Sequence, residues 1–118
     1  MAHRLVIVSQ LVGNYGITLD DGETLYNVLY PLLQEGSSLT ADFQDMTIFA
    51  SPFFNASIGR LLASFSTDVL KEKLKPINLS SAGEATLRQV IKNASAYYSN
   101  PVTRAAVDRV LHGQSVAV

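Results

Sequence analysis

The sequence contains no cysteine, which excludes a disulfide framework, a thiolate zinc site and a thiol nucleophile. Histidine is nearly as scarce. His3 and His112 stand at opposite ends of the chain, and with no H-x-x-x-H spacing they form no metal signature. Charge of one sign is not in excess either: nine Lys and Arg are set against ten Asp and Glu, spread along the chain, for a net charge of −1. A nucleic-acid surface supplies a Lys or Arg for each phosphate it neutralises and so leaves a basic face. Nucleic acid is therefore not an expected partner. Long apolar runs are missing as well. The opening segment holds only Leu5 to Val8, whereas a membrane span needs about 20 residues and a signal peptide a longer stretch than this. A cytoplasmic location with no membrane association is the expectation. Neither a P-loop nor G-x-G-x-x-G occurs, so no glycine cradle for a nucleotide is present and no cofactor is expected. Ser51, His112 and Asp42 make a triad on paper, but G-x-S-x-G is absent and nothing brings the histidine near. The expectation is a protein that is not an enzyme.

What is present is ample material for one core: 118 residues, 47% of them apolar and 16% charged. Arg4 to Val12 reads as a strand, Gly13-Asn14-Tyr15-Gly16 as a turn, and Ile17 to Leu19 as a short antiparallel return. Asp20 is the expected cap of a helix striped by Leu25, Val28, Leu29 and Leu32 and ended by Glu35-Gly36. Ser38 to Phe43 reads as a strand with Leu39, Ala41 and Phe43 on one face, followed by a loop over Gln44 to Ala50. Ser51-Pro52 predicts a helix start, with Ser51 as cap and Phe54, Ile58, Leu61, Leu62 and Phe65 turned inward. A short helix from Thr67 to Leu74 and an inner strand from Pro76 to Leu79 come next. Ser81-Ala82-Gly83-Glu84 has the form of a capping box, opening a helix striped by Leu87, Val90, Ile91, Ala94 and Tyr98. Asn100-Pro101 begins a last helix that Gly113 stops. The expected organisation is one domain over residues 1–113, with 114–118 a frayed tail. Strands alternating with helices imply an α/β fold with a small mixed sheet and right-handed crossovers.

The stretch from Leu39 to Leu79 carries a more specific pattern. An apolar strand ends in Asp42-Phe43, and a loop with Met46 at its centre leads into Thr47-Ile48-Phe49-Ala50-Ser51-Pro52-Phe53-Phe54. Gly59-Arg60-Leu61-Leu62 and Ile77-Asn78-Leu79-Ser80 follow. This resembles the bacterial STAS-like domains of unknown function, relatives of the anti-sigma factor antagonists. The resemblance implies a small mixed sheet with helices packed mainly on one face. It also implies regulation by docking, since the antagonists bind a histidine-kinase-like ATPase that phosphorylates a serine at a helix start. A dianion there changes the charge and hydrogen bonding of the docking surface. The antagonists read Asp-Ser-Ser-Gly at this turn, with the second serine as acceptor. Here the turn reads Ala50-Ser51-Pro52-Phe53, so proline occupies the usual acceptor position.

The candidate partner-binding residues are accordingly Asp45, Met46, Phe49, Ser51 and Phe53. Ser51 is the candidate phosphorylation or anion site, although a plain helix cap is the simpler explanation of it. Phe53 and Phe54 are neighbours and cannot both face inward on a regular helix, so Phe53 is expected to be the exposed apolar anchor. The alternative is a small-molecule sensor, with a ligand held at the strands' carboxyl ends near Asp42 and Ser51. No metal site is expected. The partner's identity and homodimerisation are left open.

Overall fold

A computed structural model describes residues 2–99. Within them the chain forms β1 (His3–Ile7), α1 (Ser9–Val12), β2 (Tyr15–Gly16), α2 (Leu19–Gln34), β3 (Ser38–Asp42), β4 (Ile48–Phe49) and α3 (Ser51–Phe54). A π-helical segment (Asn55–Gly59), α4 (Thr67–Lys73), β5 (Leu74–Ile77) and α5 (Ser81–Ser99) complete it. The helix expected from Asn100 and the tail at 114–118 lie outside the described residues.

β1, β3 and β5 form a parallel sheet in the order β1-β3-β5. Val6 and Val8, Leu39, Ala41 and Phe43, and Leu74 point to one face and are buried there beneath the helices. The opposite face is open, with Leu5 and Ile77 exposed and His3 hydrogen-bonded to Thr40 Oγ1 at 3.0 Å. The fold is α/β, with its helices packed on one side of the sheet.

The opening hairpin does not form, and its failure shapes the rest of the molecule. Val8 N donates to Asp42 O at 2.9 Å, and beyond this point the backbone turns away from β3. Leu11 N and Val12 N instead donate to Val8 O, giving one helical turn that satisfies these groups locally. Gly13, at φ 84°, then reverses the chain. The second strand is Tyr15–Gly16, and it pairs in parallel with β4 in a separate two-stranded ladder.

Several boundaries also move. Thr18, not Asp20, caps α2: its Oγ1 accepts from Asp21 N at 3.1 Å, which places Asp20 in the first turn. β5 begins at Leu74 and is an edge strand, not an inner one. That position suits Pro76, which has no N–H to give to a second neighbour. The cap of α5 is Ser80, whose Oγ accepts from Gly83 N at 3.1 Å, one residue before the expected box.

Phe53 and Phe54 are both fully buried, contrary to the expectation that one would be exposed. The expectation assumed one buried stripe, but this helix is covered on two sides. α2 crosses it at Gly22, where a Cβ would collide with the Phe53 carbonyl oxygen. Phe54, its ring 5.3 Å from that of Phe53, stacks on Phe49, with centroids 5.4 Å apart and planes 11° apart. Just beyond, the backbone widens into the π-helical segment. There Ser57 Oγ, also fully buried, donates to Phe53 O at 2.8 Å.

Candidate functional site

The β2–β4 ladder is only two residues long, yet it separates two surfaces. Tyr15 is in register with Ile48 and Gly16 with Phe49. Thr47 N donates to Asn14 O at 3.2 Å and Ala50 N to Gly16 O at 2.8 Å, fixing the ladder at both ends. Because side chains alternate across a strand, Gly16 and Phe49 face inward, and Tyr15 and Ile48 face outward. The inner side is tight: a Cβ on Gly16 would lie 2.9 Å from the Phe53 ring. Phe49 also meets Phe43 edge-on at 5.7 Å, tying the ladder to the end of β3.

The outer side is covered by nothing among the described residues. Tyr15 is 55% exposed, Ile48 50%, Ile17 41% and Leu19 57%. Isolated exposed apolar residues are ordinary, but Tyr15 and Ile48 stand side by side across the ladder and Ile17 and Leu19 follow on the same segment as Tyr15, a grouping of the kind that marks interaction sites. Sequence reasoning missed Tyr15, Ile17 and Leu19. The alternation Tyr15-Gly16-Ile17, with two large apolar residues flanking a glycine, was the available signal.

The structure divides the expected contact residues. Asp45 and Ser51 are exposed and Phe49 is half-buried, all on the segment that carries β4 into α3. Met46 and Phe53 are buried and cannot serve as contacts on this surface. Met46 turns inward because its N–H closes the turn onto Phe43 O at 3.1 Å, while Asp45 takes the left-handed conformation at φ 69°. Phe53 is held inward by Gly16 and Gly22, as described. Ser51 is not the cap expected of it. Ala50 occupies the cap position with extended backbone, and Ser51 is the first helical residue, with no capping bond from the side chain.

Asp42, proposed as a ligand group in the alternative reading, is 8% exposed. Its Oδ1 accepts from Gln44 N and from Asn78 Nδ2, each at 2.9 Å. The carboxylate thus starts the turn after β3 and ties it to the residue after β5, and no hydrogen bond joins it to Ser51. An apolar groove of about 430 Å³ is lined by Leu62, Leu70, Pro76, Leu87 and Ile91 among others, and involves neither residue. His112 lies outside the described residues. Among the described residues, no three His, Asp or Glu side chains are grouped to hold a metal ion. No described helix is long and apolar enough to cross a membrane.

A small parallel sheet with helices on one face, and a helix entered through Phe49-Ala50-Ser51-Pro52, defines a STAS-like class of domain. The family model for the STAS-like domain of unknown function (DUF4325) matches residues 21–84, and the chain belongs to that family. Neither a curated protein nor a solved structure matches it.

Proposed function

We propose that this chain is a regulatory protein-interaction module that binds a signalling partner, such as a histidine-kinase-like ATPase, and performs no catalysis. The observation that supports this reading is the uncovered apolar patch of Tyr15, Ile17, Leu19 and Ile48 beside the exposed Asp45 and Ser51. It lies against the segment over which the sequence resembles the docking turn of the anti-sigma factor antagonists. Tyrosine and isoleucine side chains held on a short, fixed ladder lose little freedom on binding, so most of the gain from desolvating them is kept. Pro52 at the usual acceptor position means that any phosphate at this turn would have to sit on Ser51, one residue earlier.

The test is recovery of an identified partner from the native host with the wild-type chain and with the Tyr15→Ser/Ile48→Ser double variant. Both side chains are exposed, so the double variant is expected to melt near wild type and to lose the partner. An identified partner retained in full by the double variant refutes docking through this patch.

A further inference from the structure

Charge is divided unevenly over this molecule in a way that its net value of −1 conceals. From Leu5 to Gly59 there is no Lys or Arg, while Asp20, Asp21, Glu23, Glu35, Asp42 and Asp45 all fall in this span. The described basic side chains, apart from Arg4, begin at Arg60 and continue through α4, β5 and α5. Arg60 is itself engaged, its guanidinium 4.2 Å from the centre of the Tyr26 ring.

Four of those carboxylates belong to the segments that carry the apolar patch. Asp20 and Asp21 are in the first turn of α2, directly after the exposed Leu19, and Glu23 follows. Asp45 lies in the turn that leads to Ile48, with its backbone at φ 69°. Because β2 and β4 run parallel, Asp45 precedes Ile48 at one end of the ladder, while Asp20 and Asp21 follow Leu19 beyond its other end. An exposed apolar face whose own segments carry acids and no Lys or Arg attracts a surface of opposite pattern and repels an acidic one. Apolar contact then supplies the attraction that salt does not remove, and the acids supply the selectivity.

We infer that the occupant of the Tyr15–Ile48 face is an amphipathic protein segment whose apolar side is flanked by Lys or Arg. This rests on the docking reading above and narrows it to one partner chemistry.

The probes are three fluorescent synthetic helical peptides with a common Leu/Trp apolar face and polar faces made of Lys and Arg, of Ser and Gln, or of Asp and Glu. Anisotropy titrations at low salt are expected to rank the basic peptide at least tenfold tighter than the neutral one, with the acidic one weakest. The Ile48→Ser variant should abolish binding of all three. The Asp20→Asn/Glu23→Gln variant should remove only the preference among them, as should raised salt. Equal affinity for the basic and neutral peptides overturns the charge inference and leaves the docking surface standing. Binding that survives Ile48→Ser overturns both, and failure of all three peptides overturns the inference. Sedimentation showing a dimer that Ile48→Ser dissolves would make a second copy the occupant and overturn it too.

Discussion

Gly22 of α2 lies directly against the backbone carbonyl of Phe53, and this contact lets α2 and α3 pack without a side chain between them. Helix propensity alone favours alanine at an interior helical position by about 1 kcal/mol. Here the added methyl would meet the Phe53 carbonyl oxygen and the Cβ of Ala56, and rigid backbone cannot swing aside as a flexible side chain can. Steric overlap therefore wins. Gly22→Ala is expected to lower stability by about 1–3 kcal/mol, the range for overpacking a core. A urea melt in which Gly22→Ala equals or exceeds wild type would mean that the two helices are not in this contact.

The same packing governs the paired phenylalanines. Phe53 and Phe54 are both fully buried, with ring centroids 5.3 Å apart. Phe53→Ala and Phe54→Ala should each cost about 3–5 kcal/mol through lost burial and the cavity left behind. Comparable early unfolding of the two variants is the expected result. A Phe53→Ala variant that melts with wild type would return this residue to the surface.

Much of the fold was legible because the buried stripes follow local periodicity. Leu25 and Leu29 on α2, Leu39, Ala41 and Phe43 on β3, and Leu87 and Val90 on α5 are all buried where their spacing placed them. The failures share a different cause, since each depended on which segment came to lie alongside. Val8 to Val12 has the composition of a strand, but the chain leaves β3 after Val8 and closes its own helical turn. Phe53 reads as surface on a helix with one buried stripe, and its burial comes from β2, whose Gly16 meets its ring, and from α2, whose Gly22 meets its backbone. The outward row of Tyr15 and Ile48 comes from a pairing between segments more than thirty residues apart, which no local pattern encodes.

Cap positions offer a finer check, because the structure shifts three of them. Thr18 and Ser80 accept backbone N–H bonds at the starts of α2 and α5. Thr18→Ala and Ser80→Ala should each lose about 1 kcal/mol. Ser51 is exposed and makes no capping bond, and Ser81 follows the true cap of α5. Ser51→Ala and Ser81→Ala should stay within about 0.5 kcal/mol of wild type. Equilibrium melts of the four variants decide the register of the helix starts, and a loss at Ser51 matching that at Thr18 would restore Ser51 as a cap.

Asp42 allows structural and ligand-binding roles to be separated by a change of one atom. Its Oδ1 accepts from Gln44 N and Asn78 Nδ2, and Asn78 itself is held in the left-handed conformation at φ 57°. Asparagine at position 42 keeps an oxygen for both bonds but loses the charge. Alanine leaves both donors without their acceptor, in a site that is only 8% exposed. If Asp42 acts by joining β3 to β5, Asp42→Ala should cost about 1–3 kcal/mol and Asp42→Asn clearly less, by roughly the difference between charged and neutral acceptors. Asn78→Ala should fall with Asp42→Ala, and the two losses should not add, with a coupling of about 0.5–3 kcal/mol in a double-mutant cycle. Additive losses would show that the pair does not act as a unit. An Asp42→Asn chain as stable as wild type that no longer binds a small molecule the wild type does bind would assign the carboxylate to a ligand instead.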